Sequence, residues 1–467
     1  MSQSFDLVII GGGPAGYGAA LYGGAAGLSV ALVEKDKVGG TCLHRGCIPA
    51  KEFLETANVF RTVTNSSTFG IQTDKPNLNF EVSANRKDTV VNQLYTGLRG
   101  LLKKRKVTIF DGVGTLEAGH QVSVLLSGSE PTALEGGSII LASGSVPRTI
   151  AGFEIDGSLV LSSDEVLELK EIPQSVGVIG GGAIGCEFAS MLADLGSKVT
   201  LVEAMENILP GCDREVAQVV EKSFQKKGID LVVGSKILGV SKVSPTRAIL
   251  ELEGGKSVEV DKVIVSVGRR PFTDNLLGSS SVVQLDNRGF VQVDPALETT
   301  QPGVYAIGDL INTPQLAHVG FAEAIQVTKK ILGETWLPID YHKVPWCIYS
   351  NPEVAFCGLT EDQARSQGYD LLVHKTRFTG NSRAMIVGET EGLVKVLCEK
   401  DSQGKPGKIL GVHMAGPWVT EQLGAGYLAT NWEATPDEVA SFITAHPTLS
   451  EAFGETVLAL TGRGLHG

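Results

Sequence analysis

Cys42 and Cys47 have four residues between them in the stretch Gly39-Gly40-Thr41-Cys42-Leu43-His44-Arg45-Gly46-Cys47-Ile48-Pro49-Ala50-Lys51. A disulfide closing so short a loop removes little chain entropy, so it stabilises a fold weakly. Reversible exchange suits such a pair better: a thiolate attacks one sulfur and releases the other. Gly46 can relax the backbone between them, and Pro49 favours a helix beginning at Cys47. A cysteine at a helix start has a lowered thiol pKa. The pair lies between two glycine loops, Gly11-Gly12-Gly13-Pro14-Ala15-Gly16 and Gly180-Gly181-Gly182-Ala183-Ile184-Gly185. Such loops bring backbone amides at a helix N-terminus to a diphosphate, where a Cβ would obstruct the approach. A carboxylate follows at the same spacing in both copies, Glu34 and Glu203, placed to accept ribose hydroxyls. No basic residue follows Glu203 before Arg214, which favours NAD over NADP, because a 2′-phosphate would meet the carboxylate. A thiol couple beside two dinucleotide loops suggests an electron path between a dithiol substrate, a flavin and a nicotinamide.

These groups need strands and helices to hold them. Leu7–Ile10, a loop, an Ala-rich helix from about residue 15 to 26 and a strand ending at Glu34 form one βαβ unit. Val176–Ile179, a loop, a helix to about Leu195 and a strand ending at Glu203 form another. Residues 85–106 read as a long helix, with Val90, Val91, Leu94, Leu98, Leu101 and Leu102 at helical spacing. Its end carries the dense basic run Lys103-Lys104-Arg105-Lys106, expected to be solvated. Strands are expected near 106–110, 122–126, 138–142 and 262–267, with turns at 143–148 and 268–271, and a helix near 321–332.

At 467 residues the chain has room for about three domains of ~150 residues. Its 57 glycines and low aromatic content of 6% fit an α/β protein rich in close backbone contacts. A net charge of −12 argues against a nucleic-acid partner, which would need a basic face. No apolar run approaches the ~18 residues of a membrane helix. No export or transit segment precedes the first strand, so a cytoplasmic location is expected. Seven cysteines, five of them scattered, do not make a secreted disulfide framework. Cys186, Cys212, Cys347, Cys357 and Cys398 are expected to be buried small residues.

Gly40-Thr41-Cys42, Gly46-Cys47-Ile48-Pro49 and Lys51 resemble the signature of the class I pyridine nucleotide-disulfide oxidoreductases. The likeness continues through Ala306-Ile307-Gly308-Asp309, Leu316-Ala317-His318 and His446-Pro447-Thr448-Leu449-Ser450-Glu451. Within that family the dihydrolipoamide dehydrogenases are the branch most alike. The resemblance implies two doubly wound Rossmann-like dinucleotide-binding domains and a C-terminal α+β dimerisation domain. The expected division is residues 1–148 for FAD, 149–271 for NAD, 272–342 completing the FAD site and 343–467 for the interface. FAD would be held by Gly11, Gly13, Gly16, Glu34, Gly40, Thr41, Gly114, Ser143, Gly144, Asp309 and Ala317. Lys51 would sit by the flavin ring with Glu187 as its ion-pair partner. NAD would meet Gly180, Gly182, Gly185, Glu203, Gly268 and Ile237. No metal is implied.

In the family, the base that activates a substrate thiol is a histidine oriented by a carboxylate, here His446 and Glu451, supplied by the partner subunit of a homodimer. The implied reaction oxidises dihydrolipoamide, borne on an acyltransferase or carrier protein of a 2-oxo acid dehydrogenase complex. Electrons would pass through Cys42 and Cys47 to FAD and leave as hydride to NAD. His44-Arg45 replace the more usual Asn-Val, Ala50 stands where Ser or Thr is frequent, and Phe272 where Asn is. Rival readings are a glutathione or mercuric reductase and a redox-sensing flavoprotein scaffold. Mercuric reductases carry a C-terminal cysteine pair, but the last cysteine here is Cys398. A scaffold needs no base.

Overall fold

A computed structural model describes residues 2–466 other than 127 and 129. The first glycine loop sits at the end of strand Gln3–Ile10, whose last four residues are fully covered. This strand pairs in parallel with Val30–Glu34 on one side and Thr132–Leu141 on the other. Thr108–Leu116 and the antiparallel Gln121–Leu126 extend the sheet. Its sixth strand, Val304–Ala306, arrives from far along the chain and pairs with Thr132–Leu141. Residues 272–342 thus share the first unit's core, with Leu276, Leu297 and Ile307 in the same cluster as Leu7 and Ile9. Helix Pro14–Ala25 packs on helix Ala317–Ile331, with Tyr17 edge-on to Phe321 at 5.4 Å.

The long helix spans Phe80–Lys104, starting earlier than its periodicity suggests because Asn79 caps it by accepting the Val82 amide. Leu98 and Leu102 are buried, whereas Leu94 and Leu101 face outward. Leu98 and Leu102 join the first unit's core, so the helix buries a narrower face than its apolar spacing spans. Lys103 and Lys104 occupy the last turn, where cations complement the helix dipole.

The second unit is a parallel sheet in the order Asp230–Val232, Lys198–Val202, Ser175–Ile179, Lys262–Val265, Val160–Leu161. A three-stranded antiparallel sheet lies against it, Ile237–Ser244, Arg247–Leu252 and Ser257–Val260. Leu250 presses so close to Gly177 that a Cβ there would lie 2.3 Å from its Cδ1. The segments expected as turns at 143–148 and 268–271 instead form a ribbon, Ser145–Pro147 paired antiparallel with Arg269–Pro271. The two crossings between units can satisfy each other's backbone groups, which isolated turns could not.

The C-terminal region is a five-stranded antiparallel sheet, Trp346–Ile348, Glu353–Gly358, Pro406–Gly416, Leu393–Lys400 and Leu371–Arg377 in order. Helices Val419–Asn431 and Glu451–Leu460 pack on it. Lys395, 2% exposed, reaches from this sheet to the second unit. Its ammonium meets Asp213 at 3.0 Å, Glu215 at 3.0 Å and Glu361 at 2.8 Å. Trp418, Trp432, Phe442 and Ile443 are exposed on this region.

Three of the five lone cysteines, Cys186, Cys357 and Cys398, are buried, but Cys212 and Cys347 are only partly covered. Cys347 lies on the outermost strand of its sheet and Cys212 in a connection, neither of which is packed on all sides. Burial still pushes the Cys212 thiol up to about 12 and Cys347 to about 11. Among the described residues no helix is long and apolar enough to cross a membrane.

Candidate active site

The two glycine loops share one construction. Gly11 and Gly180 have φ of +106° and +101°, and a Cβ would lie 2.2 Å from the Ala142 oxygen or 2.5 Å from the Ser266 oxygen. Only glycine fits a left-handed turn pressed on the neighbouring strand. Gly13 and Gly182 cap helices Pro14–Ala25 and Ala183–Asp194 without a side-chain hydrogen bond. Their first-turn amides are therefore free of any capping side chain and can bind an anion. Gly16 and Gly185 are buried in those first turns. Glu34 accepts the Gly12 amide at 2.7 Å and the Asp36 amide at 2.8 Å. Glu203 repeats this with the Gly181 amide at 2.6 Å and the Met205 amide at 2.8 Å. Each buried carboxylate thus pins its loop from one side while its remaining lone pairs can meet hydroxyls. Two uncapped helix starts, each with a carboxylate alongside, fit two dinucleotides.

Gly40, with φ +57°, packs on Gly13 so closely that its Cβ would lie 2.6 Å from the Gly13 Cα. The short helix Gly40–Arg45, carrying Thr41 and Cys42, therefore rises directly from the first loop. Gly46 breaks it, and Cys47 opens helix Cys47–Thr64. Cys42 and Cys47 are disulfide-bonded, with Cα atoms 4.6 Å apart. The His44 ring bonds the Val38 carbonyl at 2.9 Å, and Arg45 pairs with Asp36.

One turn into the second redox helix, Lys51 Nζ donates to both Glu187 oxygens, at 2.9 and 3.0 Å. Glu187 is buried in helix Ala183–Asp194 and also accepts the Tyr349 amide at 2.9 Å. The Tyr349 ring lies 4.8 Å from Lys51 Nζ. This pair draws together the redox helix, the second glycine unit and the C-terminal sheet.

Gly114 lies in Thr108–Leu116 against Ile10 and Val33. Ser143 donates to the Phe272 carbonyl at 2.6 Å, and Gly144 accepts the Phe272 amide at 2.9 Å. Gly268 accepts the Arg148 amide at 2.9 Å. Asp309, in the turn Gly308–Leu310, accepts from Ser145 Oγ at 2.5 Å. Burial pushes its carboxyl up, against the opposing pull of Ser145 and Arg269. Ala317 opens helix Ala317–Ile331. Ile237 begins the antiparallel sheet and packs toward the Phe153 cluster, two residues after Ser235 donates to the Glu203 carbonyl.

Glu323 is a participant that sequence reasoning missed. It is fully buried and accepts from the Gly308 amide at 2.6 Å, Thr313 at 2.8 Å and Tyr341 at 2.9 Å. Burial lifts its carboxyl to about 7 despite these three donors, and Asp309 adds to the rise. A lone Glu on an amphipathic helix carries no sequence signal for this.

His446 Nδ1 and Glu451 Oε1 are 2.8 Å apart, and Glu451 also accepts the Thr448 amide at 2.7 Å. Burial alone would raise Glu451, but the Thr448 amide and His446 hold it below the usual carboxylate range. The His446 side chain is 71% exposed. Among the described residues its ring bonds Glu451 alone, so the dyad forms no link to Cys42 or Cys47 within one chain.

Residues 5–324 match the pyridine nucleotide-disulphide oxidoreductase model, and 344–457 match that family's dimerisation domain. The chain belongs to the pyridine nucleotide-disulphide oxidoreductase family. A dihydrolipoyl dehydrogenase of Bacillus subtilis is 40% identical, with 100% of each chain covered. A mitochondrial dihydrolipoyl dehydrogenase of Pisum sativum is 36% identical, over 100% of this chain and 93% of the relative. Among solved structures, LpdA from Mycobacterium tuberculosis superposes with a TM-score of 0.91 at 24% identity, covering 98% of this chain and 99% of that one, a likeness of fold. The flavoprotein disulfide reductase RclA from Escherichia coli gives 0.85 at 27% identity, over 97% and 99%. The dimerisation-domain match, which supports a homodimer, covers the exposed Trp418, Trp432, Phe442 and Ile443, and large exposed apolar side chains of this kind mark interaction surfaces.

Proposed function

We propose that this chain is a dihydrolipoyl dehydrogenase that uses FAD and NAD. Its substrate is dihydrolipoamide carried on an acyltransferase or carrier protein of a 2-oxo acid dehydrogenase complex, and it works in the cytoplasm. The carrying observation is the Cys42–Cys47 disulfide at the start of a helix, one turn from the Lys51–Glu187 pair that joins the two glycine units. Full-length likeness to dihydrolipoyl dehydrogenases supports the same substrate. The domain division at about residues 148, 271 and 342 is part of this reading.

With the Nδ1 proton shared with Glu451, the His446 lone pair lies on Nε2. His446, contributed across the dimer, takes the proton from one substrate thiol. The thiolate attacks Cys42 Sγ, and Cys47 leaves as a thiolate, favoured by the N-terminus of helix Cys47–Thr64. The second substrate thiol attacks its partner sulfur in the mixed disulfide and expels Cys42. The substrate leaves as a cyclic disulfide, with its two electrons now on the cysteines. Gly11, Gly13, Glu34, Asp309 and Ala317 would hold FAD, with Lys51 beside its ring, and Gly180, Gly182 and Glu203 would hold NAD. Bound there, FAD would supply the two-electron redox chemistry that links the reduced cysteines to NAD.

The test is steady-state turnover of purified protein with dihydrolipoamide, other dithiols and both nicotinamides. Turnover selective for dihydrolipoamide and NAD is expected. A preference for glutathione with NADPH would overturn the reading.

A further inference from the structure

The ribbon between the two units gathers side chains from three distant parts of the chain. Arg269 Nε donates to Ser145 Oγ at 2.7 Å, and Nη2 donates to the Ser145 carbonyl at 2.8 Å. Ser145 Oγ in turn donates to Asp309 Oδ2 at 2.5 Å, and Arg269 Nε stands 4.0 Å from that same oxygen. Arg269 is 13% exposed and Ser145 is buried. Among the described residues, Ser145 is the sole hydrogen-bond donor to the Asp309 carboxylate. A buried guanidinium is retained where its fork is used, and a point-charge ammonium cannot reproduce both bonds.

Arg269 follows Gly268 of the nicotinamide unit, Ser145 belongs to the first unit, and Asp309 lies in the turn after strand Val304–Ala306. We propose that Arg269 and Ser145 are positioning residues that aim the Asp309 carboxylate, so that the edge of the nicotinamide unit helps hold the flavin. This rests on the reading of Asp309 as a flavin-side residue. Arg269 orients the Ser145 hydroxyl by occupying its oxygen as donor, which turns the single hydroxyl proton toward Asp309. Without Arg269 that proton is free to turn elsewhere. Without Ser145, Asp309 keeps only a distant cation. Neither residue needs to touch the cofactor for its loss to be felt there.

The experiment measures FAD release from the dimeric holoenzyme on dilution, read as the rise in free-flavin fluorescence. Ser145→Ala and Arg269→Met should each speed release about tenfold or more, the scale of a hydrogen bond to a charged group. The double variant should release FAD no faster than the worse single variant, because both changes cut one chain. Should Arg269→Met fail to fold, Arg269→Lys takes its place with the same expectation, since it keeps charge but loses the fork. Either single variant releasing FAD at the wild-type rate overturns the link, and so do fully additive effects. A wild-type protein that takes up no FAD would instead overturn the reading of Asp309 itself, so the two failures are distinguishable.

Discussion

Replacing Lys395 by Met tests how the second unit is joined to the C-terminal sheet. The ammonium is almost fully covered and sits 2.8–3.0 Å from Asp213, Glu215 and Glu361. Removing it leaves three carboxylates facing one another with one buried cation gone. Breaking a buried ion pair from one side costs about 3–5 kcal/mol. At a urea dependence of about 3 kcal/mol/M, that lowers the unfolding midpoint by about 1–2 M. The pH dependence gives the sign. The Lys395 hydrogen bond is the main cause holding Glu361 below its usual range. For Glu215, burial pushes upward but Lys375 and Lys395 outweigh it. A depressed carboxylate contributes stability that is full above its unfolded pKa, about 4.3, and is lost as pH falls through the folded value. The variant lacks that contribution, so its deficit should be largest near pH 7.5 and narrow below about pH 4.5. Urea midpoints of wild type and variant across pH 4–8 measure this. An equal deficit at both ends, or none at pH 7.5, refutes the argument.

Cys47→Ser should abolish dihydrolipoamide-dependent NAD reduction while the visible flavin spectrum persists; retained turnover would remove Cys47 from the reaction. Glu451→Gln should lower kcat about 10²–10⁴-fold by misorienting the base, with little change in FAD content, as steady-state kinetics would report. Gly11→Ala and Gly180→Ala should separate the two sites, because each places a Cβ within 2.6 Å of a backbone oxygen. The first should lose FAD on purification, and the second should keep FAD but raise KM for NAD. Identical phenotypes would show that the two loops do not serve different cofactors.

Much of the site was legible because its signals are local. A glycine run, a helix and an acid at fixed spacing define each loop within one βαβ unit, and the cysteine pair lies within six residues. Proline two residues after Cys47 marks the helix start found at Cys47. What could not be read is non-local. Ser145 meets Arg269 and Asp309 across more than a hundred residues, and a short Ser-Val-Pro stretch reads as a turn until its partner strand is placed beside it. Strand Val304–Ala306 joins the first sheet through pairing alone. Leu94 and Leu101 share helical spacing with Leu98 and Leu102, but spacing does not say how wide a face the core covers. The same holds for Cys212 and Cys347, where residue type predicted full burial and position in a connection or on an outer strand decided otherwise.

Both Glu203 oxygens are already taken up by backbone amides, one from Gly181 of the glycine loop and one from Met205 just beyond its own strand. Re-engineering the protein toward the phosphorylated nicotinamide therefore needs more than exchanging this acid for a neutral or basic residue. Such a swap would also cut the tether on Gly181, and the loop would drift before any new contact formed. A successful conversion must first rebuild that anchor elsewhere.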